Sequence, residues 1–283
     1  MKIIRTVDEV RAAVAAARRK SASVGLVPTM GGFHEGHLSL MRQARAASDL
    51  VVVSLFVNPT QFGPNEDLAS YPRDEAKDAA LAEGEGVDIL FAPSPDEMYP
   101  DGFATTVHVE GITEVLCGAQ RGRYHFDGVA TIVTKLLNIV TPDAAYFGQK
   151  DAQQVMVLRR AVRDLNIPTR IEECPTVREH DGLAMSSRNI YLDEAARRQA
   201  AALNRALDAA SALHQTGERD AQRITEAAHR VLAEADIAPE YLELRSTDDL
   251  RELARIDDQA LLAVAARIGS ARLIDNHILR RDT

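Results

Sequence analysis

Apolar and polar positions follow two different periods along the first half of the chain. Residues 24–28 form a short apolar run that closes on Pro28, and residues 50–57 form a longer one rich in β-branched side chains. Runs that are apolar on both faces suit strands buried in a parallel sheet. Similar runs at 87–92 and 144–147 predict two further strands. Between them the spacing becomes helical: Leu38, Leu40, Met41, Ala44 and Ala47, then a stretch beginning near 74, then positions 129, 132, 133, 136, 137 and 140, then 151–165. Strands alternating with helices of this length predict an α/β fold, a Rossmann-like parallel sheet with helices on both faces.

Past residue 176 the texture changes. Segments 193–213 and 220–235 are rich in Ala and Arg and read as helices, while 241–245, 260–267 and 271–275 alternate as strands do. This divides the chain into a Rossmann-like domain at 1–176 and a smaller C-terminal α+β domain at 177–283. No internal repeat or low-complexity tract interrupts either part, and the Ala-rich stretches are explained as helix formers.

With 283 residues, 46% hydrophobic and 27% charged, the composition is that of a globular chain able to bury a core. A net charge of −9 argues against a nucleic-acid partner, which calls for basic patches. A few local cations still permit an anionic small molecule in one cleft. Cys117 and Cys174 are isolated, without metal-ligand spacing, and read as reduced, packed thiols. The start of the chain carries Lys2, Arg5, Asp8 and Glu9 where a secretory leader is apolar. The longest apolar runs, such as 50–53 and 260–266, are too short to span a bilayer. A cytoplasmic protein without a membrane partner is expected.

Residues 27–37, Val-Pro-Thr-Met-Gly-Gly-Phe-His-Glu-Gly-His, concentrate the candidate chemistry. A strand ends, Gly31-Gly32 turn the chain, and His34 and His37 stand three apart before a helix. That arrangement aims imidazoles and free backbone N–H groups at one point, an anion site. A zinc-protease HExxH reading fails because position 38 is Leu38, and neither a P-loop nor a GxGxxG fingerprint occurs. Asn58 and Gln61 flank Pro59-Thr60 just past a strand, and two readings stay open: turn chemistry, or amides that recognise a carboxylate or hydroxyl. Gly148-Gln149-Lys150-Asp151 opens a helix with Gln153 and Gln154 in its first turn. Lysine is scarce, five against 28 arginines, so Lys150 reads either as a point charge for phosphate or as a solvated neighbour of Asp151. Met185-Ser186-Ser187-Arg188 is either a phosphate clamp or the capping segment of the next helix. His108, His125 and His180 read as surface or packing residues, with the lining of a cleft as the other reading of Tyr124-His125-Phe126 beside Gly128; Arg121 and Arg123 read as solvated loop arginines or as a pair that attracts anions.

Taken together, PTMGGFHEGH at 28–37, FVNPTQFGPNEDLASYPRD at 56–74, FDGVATIVTKLLNIVTPDAAYFGQKDAQQ at 126–154, DGLAMSSRNIYL at 181–192 and LIDN at 273–276 resemble the pantoate–β-alanine ligases of the HxGH nucleotidyltransferase superfamily. The resemblance covers nearly the whole chain. HxGH alone is shared by many nucleotidyltransferases, whereas the NPTQF, GQKDxQQ and MSSRN segments narrow it to this family. It implies a two-step, ATP-dependent ligation through pantoyl adenylate, with ATP, pantoate and β-alanine as substrates and Mg²⁺ on the phosphates. It also implies a homodimer whose C-terminal domain closes over the ATP site.

Carried over residue by residue, the resemblance gives Met30, Gly31, Gly32, Phe33, His34, Glu35, Gly36 and His37 to ATP, with His37 as catalytic proton donor and His34 on the phosphates. Gly148, Gln149, Lys150, Asp151, Val177, Met185, Ser186, Ser187 and Arg188 complete the ATP site, Lys150 and Arg188 among the catalytic groups. Gln61 contacts pantoate and β-alanine, while Gln154 and Asn58 lie on the pantoate side. The chain departs from the family's usual pattern at Gly32-Phe33, where Ala-Leu is common, at Gln149, where Glu is common, and at Ala152, where an aromatic is common. Asp78 matches an acidic position of the family. The implied chemistry suits these residue types: an ionised carboxylate needs no strong base, so positioning and charge neutralisation dominate. Two other readings stay open, another nucleotidyltransferase that ignores β-alanine, and a nucleotide-binding regulatory module.

Overall fold

The apolar runs build a six-stranded sheet in the computed structural model, which describes residues 1–64, 66 and 68–280. Its strands are β1 (Lys2–Ile4), β2 (Val24–Thr29), β3 (Leu50–Leu55), β4 (Ile89–Phe91), β5 (Ala144–Gly148) and β6 (Arg170–Cys174). They lie in the order β1-β4-β3-β2-β5-β6 with every pairing parallel. The helices between them are α1 (Val7–Arg18), α2 (Glu35–Ala47), α3 (Glu75–Gly84), the short α4 (Pro95–Met98) and α5 (Cys117–Arg121), α6 (Arg123–Val140) and α7 (Ala152–Asp164).

The chain steps from β2 through α2 to β3 and through α3 to β4 in one direction, and from β1 through α1 to β2 and from β4 through α6 to β5 in the other. Right-handed crossovers then put α2 and α3 on one face, and α1 and α6 on the opposite one. The α2–α3 and α1–α6 contacts match that division. Val27, Val51, Val53 and Leu90 of the strands meet Met41 and Ala44 of α2 and Ala82 of α3 in one buried cluster. Each large side chain so buried contributes roughly 1.5–3 kcal/mol. Strand order reverses between β2 and β5, and ligands of such sheets bind at the carboxyl ends beside that reversal.

Three elements carry no strong hydrophobic period. The α1 helix buries only Val10 and Val14, and the Thr6–Glu9 reciprocal cap fixes its start. β1 and β6 are the edge strands, and β6 carries Arg170, Glu172 and Glu173.

The chain divides into two compact units: the first takes Met1–Glu110, Arg121–Gly148 and Val157–Pro175; the second takes Gly111–Gln120, Gln149–Met156 and the chain from Thr176 onward. The second unit has an antiparallel sheet, β7 (Tyr241–Arg245), β8 (Gln259–Ile268) and β9 (Ala271–Arg280), in that order. Helices α8 (Glu194–Ala200), α9 (Ala202–Gln215) and α10 (Ala221–Glu234) pack against it. The single helix expected at 193–213 is thus two. Ala200, Ala201 and Ala202 are all buried, which one straight amphipathic helix does not allow. Both cysteines are free and buried; burial, helped by Glu172 and Glu173, pushes the Cys174 thiol up to about 11. Among the described residues, no helix is long and apolar enough to cross a membrane.

Candidate active site

β2 ends at Thr29, and the chain turns through Gly31 (φ 91°) and Gly32 (φ 65°). A side chain at Gly31 would bring its Cβ within 2.8 Å of Leu55 Cδ1 and 3.0 Å of Asp78 Oδ2, so glycine is needed for both space and conformation. Asp78 of α3, 1% exposed, accepts the Gly32 and Phe33 N–H groups on its two oxygens, each at 2.8 Å. The Phe33 ring is buried with Val27, Met41 and Val53. His34 then caps α2: its Nδ1 accepts the Gly36 N–H at 3.1 Å, and His37 Nδ1 accepts the His34 N–H at 3.4 Å. The rings stand 4.2 Å apart and tilted by 44°.

Because each Nδ1 accepts, the tautomer assigned to each neutral imidazole carries its proton on Nε2. The proton that each ring can donate is then the one on Nε2. This corrects the expectation of free backbone N–H groups, since those of Gly32, Phe33, His34, Gly36 and His37 are all engaged within the unit. Glu35 is exposed and paired with Arg42.

Past β3, Asn58 caps the 3₁₀ turn Pro59–Gln61. It is 1% exposed, and its Nδ2 donates to Gln61 Oε1 and to Gly128 O, both at 3.1 Å. Its Oδ1 accepts from Tyr99 Oη at 2.7 Å and Thr60 Oγ1 at 2.9 Å. The amide is thus fully engaged within the protein and holds Gln61 in place. Gln61 Nε2 in turn reaches Met30 Sδ at 3.0 Å, joining this turn to the loop after β2.

His125, read from sequence as a surface or packing residue, is buried beneath the same turn, its Nδ1 2.9 Å from Gln61 O. Arg121 Nη1 lies 3.0 Å from His125 Nε2 and can only donate, so His125 donates from Nδ1 to the Gln61 carbonyl. Arg121 is also paired with Glu66, Nε to Oε1 at 2.8 Å. Burial works to raise the Glu66 carboxyl, but the Arg121 hydrogen bond and charge outweigh it and hold it below the ordinary range.

In the second unit, the 3₁₀ turn Gln149–Asp151 leads into α7, with Lys150 Nζ 3.8 Å from Asp151 Oδ2. Gln153 is buried and fully engaged: Nε2 donates to Ile112 O at 2.8 Å and Val115 O at 2.7 Å, and Oε1 accepts the Cys117 N–H at 3.0 Å. Gln154, beside it, is half-buried. Val177 and Met185 pair across a tight hairpin, Met185 N–H to Val177 O at 3.0 Å, which turns at Gly182 (φ 88°). Ser186 Oγ accepts the Arg188 N–H at 3.3 Å and caps the 3₁₀ turn Ser187–Tyr191. Capping uses a lone pair of Ser186 and leaves its hydroxyl hydrogen to donate.

The sequence reading missed Asp78, His125 and Gly128 as organisers of these loops. Gly128 is the one with a local signal, a glycine inside a helix. Among the described residues, no group of three or more His, Cys, Asp and Glu side chains is arranged to hold a metal ion. Asp78, at the family's acidic position, uses both carboxylate oxygens on backbone N–H groups.

The chain is similar to known proteins from end to end. The family model described as pantoate-beta-alanine ligase matches residues 2–278. The pantothenate synthetase of Moorella thermoacetica is 55% identical over 280 residues, 99% of each chain. Among solved structures, pantothenate synthetase from Thermus thermophilus has a TM-score of 0.93 at 46% identity, covering 98% of this chain and 99% of its own. Pantoate-beta-alanine ligase from Francisella tularensis, complexed with β-γ ATP and β-alanine, has a TM-score of 0.79 at 33% identity, over 98% and 97% of the two chains. With a family model matched over residues 2–278 and identity this high from end to end, the chain belongs to the pantoate–β-alanine ligase family.

Proposed function

We propose that the chain condenses (R)-pantoate with β-alanine at the expense of ATP, giving pantothenate, AMP and pyrophosphate. In the first step a pantoate carboxylate oxygen attacks the α-phosphorus of ATP, the bond to the β-phosphate oxygen breaks, and pyrophosphate leaves. In the second, the β-alanine amine sheds a proton and attacks the acyl carbon of pantoyl adenylate, and AMP leaves. Membership of the ligase family along the whole chain carries the reading.

On the first unit, the Nε2–H groups of His34 and His37 donate to phosphate oxygens, His37 as the catalytic donor. Gln61 contacts pantoate and β-alanine, and Asn58 sets it. Gly148 of the first unit lines the nucleotide; on the second unit, Lys150, Ser186, Ser187 and Arg188 neutralise phosphate charge, the backbone from Gln149 to Asp151 and from Val177 to Met185 lines the nucleotide, and Gln154 contacts pantoate. Mg²⁺ enters with the nucleotide, as MgATP. Fixed donors of this kind stabilise charge that develops on the leaving pyrophosphate without reorganising. The working form in this reading is a homodimer in the cytoplasm, and sedimentation equilibrium tests the dimer.

The test is an omission assay with ATP, Mg²⁺, D-pantoate and β-alanine. Pyrophosphate should appear only when both ATP and pantoate are present, and AMP should accumulate in solution only when β-alanine is added. Pyrophosphate release that ignores pantoate, or turnover that ignores β-alanine, would overturn the reading in favour of another nucleotidyltransferase.

A further inference from the structure

Strand β9 carries two adjacent buried polar side chains that the chemistry above leaves without a part. Asp275 is 2% exposed and Asn276 3% exposed. Asn276 Nδ2 donates to the carbonyl oxygens of Gln149 and Lys150, each at 2.9 Å, and its Oδ1 accepts from Gln149 Nε2 at 3.3 Å. Asp275 meets Arg178 through both oxygens, Oδ2 at 2.6 Å from Nη1 and Oδ1 at 3.0 Å from Nη2. Arg178 Nη1 also donates to Gly182 O at 3.1 Å, inside the hairpin that Val177 and Met185 close. Asp275 Oδ1 further accepts the Asn276 N–H at 2.8 Å. All of these residues lie in the second unit.

The chemistry of these contacts is specific. Two successive carbonyls at the start of a helix need two hydrogens from one short, fixed donor, and an asparagine amide supplies both. An aspartate of the same shape has neither. A fork of two parallel N–H···O bonds between guanidinium and carboxylate fixes orientation as well as distance. Both side chains spring from a strand held on one edge by its ladder with β8, where Asp275 faces Val264 and Asn276 faces Ala263. The lysine turn is a single 3₁₀ turn; the hairpin is held on its other side by Arg197, paired with Glu179 and Asp181, and by Asn189, which donates to Glu179 and Ala184 O, so Asp275 completes its fixing from the strand side.

We infer that Asp275 and Asn276 are positioning residues for adenylation. Asn276 sets the turn that bears Lys150, and Asp275, through Arg178, sets the hairpin that leads into Ser186, Ser187 and Arg188. One strand thereby fixes the separation of the two loops. The inference rests on the reading of Lys150 and Arg188 as groups that neutralise ATP.

The test is pantoate-dependent pyrophosphate release by Asn276→Ala and Asn276→Asp, each made in the wild-type and in the Lys150→Ala background. In the wild-type background both variants should lower kcat/KM for ATP about 10- to 100-fold, the scale of a misplaced catalytic group. On the Lys150→Ala background the same substitutions should add little, because their effect runs through Lys150. Asp275→Asn should likewise lose its effect on an Arg188→Ala background. If Asn276→Ala does not fold, Asn276→Asp, which keeps the volume and the acceptor, answers the same question. Wild-type ATP kinetics in Asn276→Asp, or a full undiminished effect on the Lys150→Ala background, would overturn the inference while leaving the ligase reading intact. Absence of pantoate-dependent pyrophosphate release in the wild-type protein would instead remove the ligase reading, and the inference with it.

Discussion

A histidine is an unusual helix cap, and here two of them cap one helix reciprocally. Serine or aspartate would satisfy the same N–H groups, but has no second ring nitrogen to carry a proton. Imidazole has two nitrogens, so Nδ1 of His34 and His37 holds the backbone while Nε2 carries the proton. Cap and donor are therefore one rigid object, which is what preorganised charge stabilisation requires. His37→Ala should slow pyrophosphate release roughly 100-fold or more. It should also destabilise the protein modestly, by about 0.5–2 kcal/mol, the usual loss for a cap. Stopped-flow pyrophosphate detection and thermal unfolding check the two parts; a variant that releases pyrophosphate at the wild-type rate contradicts the assignment. The HxGH spacing was readable from residues alone, because it is local. The occupation of the Gly32 and Phe33 N–H groups was not, because their acceptor, Asp78, stands on a different helix.

The turn Pro59–Gln61 depends on α6 in the same way that the HxGH loop depends on α3. A Cβ added to Gly128 would stand 2.6 Å from Thr60 O and 2.7 Å from Gln61 N, and both are backbone atoms that cannot swing aside. Gly128→Ala should push the turn away, break the Asn58–Gly128 hydrogen bond, and displace Gln61 from its contact with Met30. We expect a raised KM for pantoate and a loss of roughly 1–3 kcal/mol in stability, typical of overpacking. Pantoate titrations at saturating ATP, alongside thermal unfolding, test this; an unchanged pantoate KM would detach Gln61 from the substrate. Elements with a strong period, such as β3, α6 and α10, were readable in place because burial on one stripe or both faces leaves its mark on every turn. α1 was missed although Thr6 and Glu9 spell a capping box, because its stripe is only Val10 and Val14. The polar edge strand β6 was missed because half of it faces outward.

Considered entire, the chain carries a net charge of −9 and yet handles an anionic nucleotide. In the proposed reading a few cations answer this locally: Lys150 and Arg188 stand on short turns whose geometry other residues impose. Most of the layout of strands and helices followed from hydrophobic period, where an element buries its own stripe; α1, β1 and β6 are the exceptions. The frame of the second unit's loops did not. It rests on a strand residue, Asn276, that lies 127 positions from Gln149, and no local pattern announces such a bond. The account stands or falls on whether the pantoate carboxylate attacks the α-phosphorus. Pantoate labelled with ¹⁸O in its carboxylate should, on turnover with ATP and β-alanine, deliver one ¹⁸O to the phosphate of AMP and none to pyrophosphate. Unlabelled AMP, or label in pyrophosphate or inorganic phosphate, would contradict it.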